Sequence, residues 1–307
     1  MKFQGHPRFI LLIVLLVTFV DSAFSSTRFR SGNYAHRAKI QWQEGNYVAA
    51  WSLYRNALSE TVKEANLEAE ALIKINLAHM EFDAMRFTSA VEMLQKLPMN
   101  HNSRQAEYHR RILQLKLKSV TGDCSEALKS LSALMQKFER GGDFQHRIAR
   151  IPIAICQANL GQYDKALRQI EWAEEEFDEG AIGQRAWAEA WIHMHQENWP
   201  QAIDKLHLAF DRAQLAMRPF DLGYLLYYLG YCYEKLGRTP LALQFYERSF
   251  KVYNKIQLAR PAMRSLKKTL DIKPNDKLQR VLQILQKQQE GESLEYIYAE
   301  PPFGKAK

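Results

Sequence analysis

Apolar and small residues recur along this chain at helical rather than strand spacing. In Leu160–Ala173, "LGQYDKALRQIEWA", a glycine is followed two residues later by an aromatic and then by Ala166, Ile170 and Ala173. Offsets of four and seven place the last three on one face of a helix. The same spacing returns around Ala50, Ala90, Ala127, Ala202 and Ala242, at intervals of about 36 to 40 residues. Four residues beyond these alanines stand Tyr54, Leu94, Leu131, Leu206 and Tyr246, and three further on Ala57, Leu97, Leu134, Ala209 and Ser249. A small residue lets a neighbouring helix approach, and the large one fills the groove beside it. Each copy is preceded by a second apolar segment with Ala38, Ala78, Leu115, Ala154, Ala190 or Gly230 seven residues before the break. The pattern predicts six helical hairpins.

The breaks support this. Glycine in the break permits a tight helix-to-helix turn. Met85 and Glu197 replace it in two copies. Pro200 and Pro240 sit where a second helix begins, a position at which a missing N–H costs nothing. Residues 259–290 add a further pair, "ARPAMRSLKKTL" and "NDKLQRVLQILQKQQ", separated by "DIKP". The second places Leu278, Val281, Leu282 and Leu285 on one stripe, suited to capping a solenoid whose end needs a polar outer face. A partner-binding amphipathic helix is the alternative reading of that segment.

The last copy, "LLYYLGYCYEKLGRTPLALQFYERSF", resembles the tetratricopeptide repeat through Leu229-Gly230, Tyr233, Gly237, Ala242 and Tyr246. The resemblance extends over roughly residues 31–255. It implies an all-α, right-handed superhelical solenoid of about six hairpins spanning 26–255, with capping helices in 256–291 and a tail in 292–307. It also implies a groove lined by the first helix of each hairpin. Carried onto this chain, the groove positions include Lys39, Trp42, His79, Phe82, Trp187, Trp191, Met194, Tyr224, Tyr227 and Tyr231. Aromatics bury much area with few rotatable bonds, so such a stripe suits a protein or peptide ligand. Relatives that grip a C-terminal carboxylate use Lys and Asn at set positions; here those positions are mainly aromatic or aliphatic.

Composition narrows the rest. Apolar residues make up 47%, and only 14 Gly and 10 Pro occur, which favours a large helical core. The formal charge of +8 comes with no dense Lys/Arg block, so nucleic acid is not an expected partner. No P-loop, GxSxG, HExxH or dinucleotide fingerprint is present, and neither an enzyme nor a cofactor is expected. His193 and His195 lie two apart, so on a helix they point away from each other and form no metal pair. The acidic run 171–179 reads as a solvated face.

Lys2 and Arg8 precede "ILLIVLLVTFV" at 10–20, about half the length needed to span a bilayer. A basic start, a short apolar run and the small residues around Ala23 and Ser25 describe a secretory signal peptide over residues 1–25; an uncleaved anchor is the alternative. The expectation is a periplasmic or otherwise exported chain, with any membrane association made through this N-terminal segment. Export and repeat type together point to a scaffold in a bacterial envelope assembly for secretion, appendages or polysaccharide export. A carbohydrate-binding module using the aromatic stripe, or a regulator of an envelope enzyme, is the rival reading.

Three cysteines remain. Cys124 begins the second helix of the third hairpin, and Cys156 lies near the end of the first helix of the fourth. Antiparallel neighbours bring such positions within the roughly 4.4–6.8 Å Cα separation of a disulfide. Cys232 would then be the leftover thiol. The alternative is three small buried hydrophobes.

Overall fold

The computed structural model describes residues 30–97, 103–121, 124–138, 143–171, 179–215 and 219–289. The N-terminal segment 1–25, the tail 292–307 and parts of the connecting stretches after 97, 138 and 171 lie outside them. Among the described residues there are fourteen helices and no strand. They run as α1 (Arg30–Gln43), α2 (Tyr47–Lys63), α3 (Leu67–Asp83), α4 (Phe87–Gln95), α5 (Arg104–Thr121), α6 (Ser125–Phe138) and α7 (Asp143–Asn159). Then follow α8 (Tyr163–Glu171), α9 (Glu179–His195), α10 (Trp199–Leu215), α11 (Pro219–Lys235), α12 (Thr239–Lys255), α13 (Ala259–Ile272) and α14 (Asp276–Lys287). The fold is an all-α solenoid of stacked hairpins, α1/α2 to α11/α12, followed by α13/α14. No described helix is long and apolar enough to cross a membrane.

The repeated sequence columns are the seams between helices. Ala50, Ala90, Ala166, Ala202 and Ala242 are all buried, as are Tyr54, Leu94, Leu131, Ile170, Leu206 and Tyr246 four residues on. Ala127, in the divergent third hairpin, is only partly covered. The facing columns in the first helices, from Ala38 to Ala190, are buried too. In α11 that column is Gly230, and Gly223 stands two turns earlier. A Cβ at Gly230 would come within 2.8 Å of the Tyr246 ring, and one at Gly223 within 2.8 Å of the Tyr253 ring. Only glycine admits tyrosine rings this close to the α11 backbone.

The turns share one construction. Gly45, Gly161 and Gly237 have φ of 82°, 71° and 70°, and Met85 and Glu197 adopt the same left-handed region at 58° and 56° without being glycine. The N–H of each bonds back three residues, and the next N–H bonds back five, as in Gly45 to Trp42 and Asn46 to Gln41. This paired closure satisfies the last carbonyls of the helix before the next helix starts. Ala65 and Gln257, between hairpins, repeat it at φ 52° and 59°.

The two ends of the array meet. A Cβ at Gly45, in the first turn, would lie 3.0 Å from Ile256 and 3.1 Å from Pro219, in the sixth hairpin. Arg260 of α13 is buried; its Nη1 donates to the Met85 carbonyl at 3.0 Å and its Nε to Gln289 Oε1 at 3.1 Å. Ala35, Ala38 and Tyr47 share a hydrophobic cluster with Tyr253, Leu258 and Ala262. The first hairpin therefore abuts the sixth, and the second abuts the seventh.

Candidate binding surface

The first helices α9 and α11 place their aromatics side by side. Trp187 lies 5.3 Å from Trp191, 4.7 Å from Tyr224 and 5.2 Å from Tyr228, ring centre to ring centre. Tyr224 also stacks with Phe220 at 6.4 Å. These edge-to-face and tilted contacts are the arrangements aromatic quadrupoles favour. Trp187, Tyr224 and Phe220 remain partly accessible, whereas Trp191 is only 5% exposed. The Trp191 Nε1 donates to Asn159 Oδ1 at 2.8 Å, and the same oxygen lies 2.9 Å from His195 Nε2. Asn159 Nδ2 in turn donates to the Ser119 carbonyl at 2.7 Å. One half-buried amide thus ties the third, fourth and fifth hairpins together.

A second group lies on α1 and α3. The Trp42 Nε1 donates to Asp83 Oδ2 at 3.2 Å, and its ring is 6.4 Å from His79. Lys39, Trp42 and Phe82 are partly accessible. Phe82 leans toward the second helix of its own hairpin, 5.5 Å from Phe87. Burial holds His79 well below the usual histidine range, and Lys116 and His109 push in the same direction. His109 falls to about 4 through burial and Lys116, and His195 to about 4 through burial.

Five of the ten expected groove residues are core. Met194, Tyr227 and Tyr231 are buried, and the two tyrosines face neighbouring helices rather than a groove. Tyr227 packs 5.4 Å from Tyr246 of α12, with the Arg264 guanidinium 4.1 Å above its ring. Tyr231 meets Trp199 of α10 at 6.0 Å. His79 and Trp191 stand on the expected side but are closed off by Trp42 and Tyr228 and their surroundings. The physical reason is tertiary. Tyr224, Tyr227 and Tyr231 lie within about 60° of one another on α11, and the packing of α10, α12 and α13 decides which of them is covered. Phe220, four residues before Tyr224, was legible from the same spacing. Asn159 and Arg264 had no such signal.

The cysteines meet across the third and fourth hairpins. Cys124 and Cys156 form a disulfide with Cα atoms 6.1 Å apart, and both are buried. Cys232 is a buried free thiol, pushed up to about 12 by burial. Among the described residues no group of three His, Cys, Asp or Glu side chains is placed to hold a metal ion.

Residues 224–253, the sixth hairpin, match the family model of the tetratricopeptide repeat. That match supports a tetratricopeptide-type array. A solved structure of a Signal Transduction ATPase with Numerous Domains protein with a tetratricopeptide repeat sensor, from Pyrococcus horikoshii, aligns with 15% identity and a TM-score of 0.49. The alignment covers 90% of this chain, and the chain spans 46% of that protein. No curated protein matches.

Proposed function

We propose that this chain is a non-catalytic, exported adaptor that binds a protein or peptide partner through the first-helix side of its solenoid. Tetratricopeptide repeats generally mediate protein–protein contacts, and the sixth hairpin matches that family. The observation that carries the reading is the partly accessible aromatic edge formed by Phe220, Tyr224 and Trp187. Export is supported by the short apolar run at 10–20 and by the Cys124–Cys156 pair, since structural disulfides persist in oxidising compartments. An envelope assembly is the setting that this combination fits.

The test is site-specific photocrosslinking from position 187 in cells, followed by Trp187→Ala and Tyr224→Ala. Partner capture that disappears in the double variant while its circular dichroism stays wild-type supports the reading. Undiminished capture by that variant places the binding surface elsewhere. A cytosolic species with Met1 intact contradicts export.

A further inference from the structure

The charge of this protein is concentrated at one end. Residues 259–287 hold eight Lys and Arg against two Asp, a formal +6 of the chain's +8. Half of these cations are already committed or buried: Arg260 and Arg264 lie inside, Lys268 pairs with Glu234 at 3.1 Å, and Lys267 pairs with Asp271. Lys273, Lys277, Arg280 and Lys287 are exposed and carry no ion pair among the described residues. Three of them belong to α14, whose apolar stripe of Leu278, Val281, Leu282 and Leu285 is turned toward the hairpin and the joined ends. Lys277, Arg280, Ile284 and Lys287 follow a spacing of three, seven and ten, within about 80° of one another around the helix. They run along one flank of the helix, from the edge of the packed stripe to the side facing away from it, where Asp276 also stands. Ile284, at their centre, is 57% exposed, although no further hairpin stacks there among the described residues.

We infer that this face of α14 docks on an anionic lipid surface. A cap that only had to be soluble has no need of an exposed isoleucine; here Ile284 lies among Lys277, Arg280 and Lys287, with Asp276 the one acidic residue on that side of α14. Cations on an amphipathic helix with an apolar residue among them match phosphate headgroups above acyl chains. The exposed Ile284 between the cations selects lipid over an acidic protein, because acyl chains take up an apolar side chain that a run of carboxylates leaves in water. The proposal is independent of the peptide-binding reading and of whether residues 1–25 are removed.

Vesicle co-sedimentation tests it with the full chain. The apolar N-terminal run partitions into neutral and charged bilayers alike, so the informative quantity is the ratio of binding to vesicles of 30% phosphatidylglycerol in phosphatidylcholine over phosphatidylcholine alone. Each surface Lys or Arg contributes about a fivefold preference, so Lys277→Gln, Arg280→Gln and Lys287→Gln together should lower that ratio about a hundredfold. Ile284→Gln should lower binding to charged vesicles severalfold and keep the salt dependence. All four side chains are exposed, so circular dichroism should be unchanged. Equal binding of the wild-type chain to both vesicles overturns the inference, as does a preference that survives the triple variant. Capture by polyglutamate with none on charged vesicles assigns the face to an acidic protein instead and equally overturns it.

Discussion

Individual residues here hold strain and charge that the repeat pattern does not reveal. Glu197 sits at φ 56° in an exposed turn, a conformation that costs a non-glycine residue about 1 kcal/mol. Glu197→Gly should therefore leave stability level or raise it by up to about 0.5 kcal/mol once the extra chain entropy of glycine is deducted, read as an equal or higher thermal midpoint; a fall in the midpoint would show that the Glu side chain holds the turn. Gly230→Ala should do the reverse, because its Cβ meets the Tyr246 ring. The histidines set a pH dependence. His109 and His195 are held at about 4 in the folded chain but titrate near 6.5 when unfolded. Between those values the unfolded chain binds more protons, so stability should fall as pH drops from about 6.5 to 4. His195→Gln, which keeps a donor for Asn159, should flatten the fall in midpoint over that range. An identical slope in the variant would mean that His195 contributes nothing to it and leave the fall to His79, His109 and the carboxylates.

Among the elements, the junction of the third and fourth hairpins is covalently fastened. Closing the 32-residue separation between Cys124 and Cys156 stabilises by roughly 3–4 kcal/mol in the chain-entropy model. Cys124→Ser with Cys156→Ser should lower the denaturant midpoint accordingly, and dithiothreitol should have no further effect on the variant. Trp191→Ala should cost about 3–5 kcal/mol, as a core truncation, whereas Trp187→Ala should cost less stability and act on binding. The hairpins themselves were legible because each repeats one small and one large residue at fixed offsets, and those columns are the seams that close. The turns between hairpins at Ala65 and Gln257 were not, since neither residue advertises a left-handed backbone. The candidate surface was less legible: spacing puts Tyr224, Tyr227 and Tyr231 on one face of α11, and only the packing of α10, α12 and α13 decides which of them stays accessible.

At the scale of the molecule, contact between the ends is what periodicity could not announce. A repeat encodes its nearest neighbours, whereas closure depends on the summed rotation of every hairpin. Gly45 against Ile256 and Pro219, and Arg260 beneath Met85, show where that rotation ends. Met85 is one of four non-glycine residues at left-handed turns among the described residues, and its carbonyl is the acceptor for Arg260, so the divergent turn also serves the closure. The buried guanidinium bridges hairpins two and seven and the end of α14 through charge-assisted bonds, each worth about 1.5–3 kcal/mol. Arg260→Ala should therefore loosen the joined ends before it melts any hairpin. Double electron–electron resonance between labels at Val48 and Lys255, both exposed, reads the gap directly. A single short distance is expected in the wild-type background, and a longer, broader distribution in Arg260→Ala, with Arg260→Lys between the two because an ammonium keeps one of the bonds. Circular dichroism should change little, since each hairpin retains its own neighbours. An unchanged distance in Arg260→Ala would mean that the apolar contacts of Ala35, Tyr47, Tyr253 and Leu258 close the array by themselves.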